Sequence, residues 1–191
     1  DKLAFPEGPR WRGGELYFSD MHAHEVVAMT PTGARRTVVS HSGPVSGLGW
    51  LPDGRLLFVS MEDRKLMRQE ADGRVALHAD LSSVATWHAN DMVVDAGGGA
   101  YVGNFGFSLH PPSDPKPAKL ARVSATGAVS EAAVNLMFPN GMVITPDGKT
   151  LIVGESFSRC LSAFDIGADG TLSKRRVWAQ LTDALPDGIC L

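Results

Sequence analysis

Five short segments of the chain begin alike, each with a polar residue at the head of a largely apolar run. They are Glu7-Gly-Pro-Arg-Trp11, Ser46-Gly-Leu-Gly-Trp50, Asn90-Asp-Met-Val-Val94, Asn140-Gly-Met-Val-Ile144 and Asp187-Gly-Ile-Cys-Leu191. They recur about every 45 residues, the length of one four-stranded propeller blade. If they are equivalent strands around one axis, their first residues meet at one end of a central channel. That gathers Glu7, Ser46, Asn90, Asn140 and Asp187. Two carboxylates and two amides converging there make an oxygen-rich place for a cation.

The residues after each segment support the repeat. A turn comes next, at Arg12-Gly-Gly, Pro52-Asp-Gly, Ala96-Gly-Gly-Gly and Pro146-Asp-Gly. Glycine supplies the positive φ such turns need, and proline presets the first dihedral. Each turn leads into a β-rich run: Glu15–Ser19, Arg55–Ser60, Ala100–Gly103 and Thr150–Gly154. A third run comes after it, at Glu25–Met29, Lys65–Gln69, Lys119–Val123 and Cys160–Asp165. Each third run closes on another glycine turn and leads to a fourth. Four strands and three turns, written four times, predict an all-β propeller. Helical periodicity is weak; only Ala79–Ala89 could hold a single helical turn.

Hydrophobic residues make up 43% of the chain and charged residues 20%, enough apolar material for a packed core. The net charge of −3 argues against a nucleic-acid partner, and no basic run suits a membrane surface. No apolar stretch reaches the roughly 20 residues that span a bilayer. Cys160 and Cys190 read as ordinary strand residues and are expected to be unpaired, since two cysteines make no disulfide framework. The expected setting is cytoplasmic. The chain starts at Asp1 rather than Met, so a trimmed leader stays open.

Four repeats run from Glu7 to about Leu185, and a fifth begins at Asp187. A closed ring of six blades needs roughly 270 residues at this spacing. Residues 1–191 are therefore read as a single propeller domain, an incomplete piece of a longer ring. Closure at four blades is the competing reading, and the fresh start at Asp187 argues against it. The one unusual loop, Phe105–Lys119, carries four prolines and is expected to overhang one end of the channel.

Phe5-Pro-Glu-Gly-Pro-Arg-Trp11, Tyr17-Phe-Ser-Asp20, Asn90-Asp91, Asn140-Gly-Met142, Thr145-Pro-Asp-Gly148 and Pro186-Asp-Gly-Ile-Cys190, in this order, resemble the gluconolactonase family, with its senescence marker protein-30 and regucalcin-like lactonases. The resemblance runs from Phe5 to the last residue. Each motif alone is weak, because Asn-Gly and Pro-Asp-Gly are common turns. The resemblance implies a six-bladed propeller with one divalent metal in its channel, of which this chain covers about four blades and the first strand of a fifth.

By that resemblance Glu7, Asn140 and Asp187 are the metal ligands, and Asp187 is also the general base. Asn90 and His88 contact substrate, Asn90 either at the metal or through a bound water. Plain alternatives exist: Glu7 as a surface carboxylate, Asn140 and Asp187 as turn residues, His88 as a structural histidine. Register separates Asp187 from Asp53 and Asp147, which fall after the inner runs of their repeats. His88 stands where many members have arginine, which points away from the usual sugar lactone. Asp20 and Asp91 read as supports for the site or for their own turns. Trp87, Phe105, Phe107 and Phe138 read as pocket mouth or as core. His22, His24, His78 and His110 show no zinc spacing.

The donors are hard oxygens, which suit calcium best, then magnesium or manganese, over zinc. An open site of that kind suits hydrolysis of a small-molecule lactone by water. No Gly-x-Ser-x-Gly elbow points to a serine hydrolase. A phosphotriesterase on the same site, or a metal-stabilised scaffold without catalysis, are the rival readings.

Overall fold

The β-rich runs are strands in the computed structural model, which describes residues 3–191. The first sheet is β1 (Pro6–Arg12), β2 (Glu15–Asp20), β3 (Glu25–Met29) and β4 (Arg35–Ser40). The second is β5 (Val45–Trp50), β6 (Leu56–Ser60), β7 (Lys65–Gln69) and β8 (Val75–Asp80). The third is β9 (Ala89–Val94), β10 (Ala100–Asn104), β11 (Ala118–Val123) and β12 (Val129–Leu136). The fourth is β13 (Pro139–Ile144), β14 (Thr150–Glu155), β15 (Cys160–Ile166) and β16 (Leu172–Gln180). Each sheet is an antiparallel meander in chain order, and the first strands β1, β5, β9 and β13 lie side by side. This is the blade arrangement of a propeller, with the first strands innermost.

Strand alternation explains how the blades stack. In β6 every residue is buried. Leu56 and Phe58 pack towards the first blade with Val26, Val39 and Leu48. Leu57 and Val59 face the third blade, among Leu66, Met92 and Val102. In β10, Tyr101 turns the other way from Val102 and packs with Leu120, Leu151 and Phe164 of the third and fourth blades. A blade between two others is thus apolar on both faces, which is why its second strand reads as a continuous hydrophobic run. Burying each large side chain contributes roughly 1.5–3 kcal/mol relative to exposing it.

Glycine sets how closely the inner strands approach. A Cβ on Gly47 would lie 2.5 Å from the Met92 amide nitrogen, and one on Gly141 would lie 2.5 Å from the Asp187 carbonyl oxygen. Both obstacles are backbone, so neither position has room for a side chain.

Ala79–Ala89 holds one helical-type turn, as expected: the amides of Val84 and Ala85 both donate to the Leu81 carbonyl, and these apolar residues then enter the core. Two single 3-10 turns, Met21–Ala23 and Ser156–Ser158, lie elsewhere. One expectation is corrected. Asp187–Leu191 lies against the fourth blade but forms no strand, since among the described residues no second strand flanks it. Cys160 is buried and Cys190 exposed, and both are free thiols as expected. No helix among the described residues is long and apolar enough to cross a membrane.

Candidate functional site

Every inner strand is irregular at the same point. Between Val45 and Leu48 the strand uses three steps where its partner, from Ser60 to Phe58, uses two. The same extra residue falls between Glu7 and Arg10, between Ala89 and Met92, and between Pro139 and Met142. Each is a β-bulge at or directly after the repeat's leading polar residue. Bulges bend a strand and re-aim its side chains, and they recur beside active sites. Here they take Ser46, Asn90 and Asn140 out of the ladder, while Glu7 still pairs with Ser19 at the edge of its bulge.

Glu7, His88, Asn90, Asn140 and Asp187 line one cavity of about 540 Å³. All five predicted site residues are therefore brought together. Ser46 is not among the lining residues; it is buried, and its hydroxyl donates to Asn90 Oδ1 at 3.4 Å. His22 and His110 also reach the cavity, which their spacing in the chain gave no means to anticipate. A larger groove of about 830 Å³ lies at the turns between the third and fourth blades. Its arginine, Arg122, is already paired with Asp95 and stacked over the Tyr101 ring at 4.5 Å.

Three devices fix the polar residues. Asn140 Nδ2 donates to Ser156 Oγ at 3.3 Å, and Ser156 Oγ donates to the Pro186 carbonyl at 2.6 Å. The Gly141 amide donates to the Asp187 carbonyl at 3.0 Å. The Asn140-Gly141 and Pro186-Asp187 segments are thus tied together twice, and the side-chain carbonyl oxygen of Asn140 is left as its electron-pair donor for a cation. Ser156 was not singled out by the sequence, where it is one serine in a short loop.

The second device is a carboxylate at the end of the second strand. Asp20, across from Pro6, accepts the amides of Ala4 and Phe5, the latter at 2.7 Å. Glu155, across from Pro139, accepts the Met137 amide at 2.8 Å, and it also bonds the Ser162 hydroxyl and the Arg175 guanidinium. Both clamp the chain just before an inner strand begins, at its Glu7 or Asn140 end.

The third is Asp91. In the other four repeats the second residue is glycine; here it is a buried aspartate. Arg10 donates to its Oδ1 at 3.0 Å and to the Met92 carbonyl at 2.8 Å, linking the first blade to the third. Burial pushes the Asp91 carboxyl up, and Arg10 opposes that shift.

The electrostatics are those of a crowded anionic pocket. Glu7 is pushed up to about 7, first by burial, then by the charge of Asp187, then by Asp91. Among the described residues no three His, Cys, Asp or Glu side chains gather into a metal cluster. The donor set here is two carboxylates and an amide, all hard oxygen, and a divalent cation would offset both the burial and the charges of Asp187 and Asp91 that raise Glu7. The residues present therefore fit such an ion.

The model of the SMP-30/gluconolactonase/LRE-like region matches residues 5–191. Among solved structures, a gluconolactonase from Xanthomonas campestris is 26% identical with a TM-score of 0.82, over 100% of this chain and 68% of that one. A regucalcin from Agrobacterium tumefaciens, described as a calcium-binding protein, is 20% identical with a TM-score of 0.76, over 93% of this chain and 60% of its own. A luciferin-regenerating enzyme is 20% identical with a TM-score of 0.78, over 94% of this chain and 62% of its own. The latter two share the fold. The chain spans between 60% and 68% of these relatives' lengths.

Proposed function

The chain belongs to the SMP-30/gluconolactonase/LRE-like family, and from that membership and the geometry of its channel we propose that it is a metal-dependent lactonase. The observation that carries this reading is the convergence of Glu7, Asn140 and Asp187 on one cavity, with Glu7 raised by burial and then by the charges of Asp187 and Asp91. Those three residues would hold one divalent cation, calcium by preference. Such a cation polarises a carbonyl and makes water more acidic.

The remaining work falls to the chain itself. Asn90 and His88, on the wall beside the three ligands, hold the lactone against them. Asp187 takes a proton from the attacking water as its oxygen bonds to the carbonyl carbon. The ring C–O bond then breaks, and the proton passes to the ring oxygen, leaving a hydroxy acid. Ser156, Glu155 and Asp20 act earlier, by fixing where the side chains stand before substrate arrives.

Hydrolysis of a panel of lactones with added calcium, and again with a chelator, tests the reading. Turnover that vanishes with chelator and returns with calcium is expected. Turnover untouched by chelator sinks the metal's role, and hydrolysis of phosphotriesters in place of lactones selects the rival chemistry on the same site.

The pH dependence of calcium binding is set by Glu7. Its carboxylate form binds a cation and its protonated form does not, and the change is centred near 7. Calorimetric titration should therefore show calcium affinity falling roughly tenfold between pH 8 and pH 6, and Glu7→Ala should abolish that slope. Without cation the sign for stability is opposite. The raised group contributes stability below its ordinary 4.5, and this is lost as pH rises through about 7. A calcium affinity that is flat across this range contradicts the assignment of Glu7.

A further inference from the structure

The cavity has a polar end and an apolar body, and the body identifies what sort of lactone it takes. From the third blade to the fourth runs a band of four rings. Trp87 and His88 stack at 5.2 Å with an interplanar angle of 14°, and His88 meets Phe105 at 6.0 Å. Phe105 stacks on Phe138 at 4.4 Å and 19°. Behind the band, Phe107 and Phe157 pack edge to face at 5.0 Å, and both contact Phe138. These rings hold one another in place, so the wall is formed before any ligand arrives. The cavity lining also includes Phe5, Met21 and Met61.

A polyhydroxylated lactone carries a hydroxyl on most of its ring carbons. Laid against the aromatic band, its hydroxyls would give up water and find no partner on the faces of Trp87, Phe105 and Phe138, which is unfavourable. The further polar side chains that reach the cavity, His22, Glu62 and His110, are not members of this band. An apolar substituent meets the opposite situation: Trp87, 37% exposed, offers apolar ring surface to cover, while Phe138 is buried and backs the band. Resting on the lactonase reading above, we infer that the substrate is a lactone whose non-reacting part is apolar, a fused aromatic ring or an alkyl chain, in place of an aldonolactone. The ester carbonyl would lie at Glu7, Asn140 and Asp187, and the apolar part along Trp87, His88 and Phe105.

Two measurements on the whole chain test this separately from the catalytic reading. With saturating calcium, dihydrocoumarin should be hydrolysed with kcat/KM at least about tenfold above glucono-1,5-lactone. Ligand-observed NMR should show chroman, which cannot be hydrolysed, binding at least about tenfold more tightly than 1,5-anhydroglucitol, and Trp87→Ala should erase most of that difference with the melting temperature unchanged. Phe105→Leu serves as the second variant and should weaken chroman in the same direction. Equal or reversed preference in either comparison, or indifference of chroman binding to both substitutions, overturns the inference while leaving a lactonase standing. Tight chroman binding in a chain that hydrolyses no lactone supports the apolar body of the cavity and overturns the lactonase.

Discussion

Asp187→Asn is expected to lower kcat for lactone hydrolysis by roughly 10³-fold or more. The substitution keeps the shape of the side chain and removes its charge and its ability to take a proton. It should not disturb the fold. The side chain is exposed in the cavity, and what Gly141 uses is the backbone carbonyl of this residue, which any amino acid provides. Circular dichroism and melting temperature should therefore match the parent while turnover collapses. Calcium affinity should fall as well, because one of two carboxylates is gone. Loss of turnover with unchanged calcium affinity would assign Asp187 to proton transfer alone. Turnover within tenfold of the parent would end the proposed mechanism.

Glu155→Ala carries the largest expected effect on stability, about 2–3 kcal/mol, because a buried acceptor is lost to two donors, one backbone and one side-chain, while Arg175, itself 37% exposed, can turn to water. Glu155 is wholly inaccessible to solvent. Its removal leaves the Met137 amide, the Ser162 hydroxyl and Arg175 without their acceptor. Arg175 also caps the carbonyls of Val134 at 3.2 Å and Asn135 at 2.9 Å, so its displacement loosens the whole approach to β13. Urea unfolding measures the loss. Glu155→Gln, which keeps the volume and part of the bonding, should cost less. A change below about 1 kcal/mol would mean that the clamp does not hold the strand. Asn140 lies three residues after Met137, so the same variant should also weaken calcium binding.

The blades were legible because their signals are local. Turn glycines and proline mark the corners, and β-branched and aromatic runs lie between them. Strand ends fall close to the runs read from the chain. The leading residues were legible because a period places them on one axis. What escaped depends on contacts between distant segments. Ser156 matters only because Asn140 and Pro186 meet it. Glu155 matches Asp20 only once register is known. Asp91 did leave a trace, since it alone breaks a run of glycines at the second repeat position, yet its partner Arg10 lies on another blade. The aromatic band is similar: its members read equally well as core until the rings are seen stacked along one wall. The Asp187–Leu191 segment shows the reverse error. Its composition favours a strand, yet it meets the fourth blade through the Asp187 carbonyl and Gly141 amide without forming a ladder.

The bulges have a further consequence. In each blade the extra residue interrupts the ladder where the repeat begins, and regular pairing resumes at Arg10, Leu48, Met92 or Met142. Ser46, Asn90 and Asn140 are thus relieved of duty in the sheet, while Glu7 keeps its pairing with Ser19. The five positions hold Glu, Ser, Asn, Asn and Asp, while the four blades built behind them are alike. Shape is written in one set of residues and reactivity in another. A framework divided in that way can exchange its chemistry, one position at a time, without having to be reinvented.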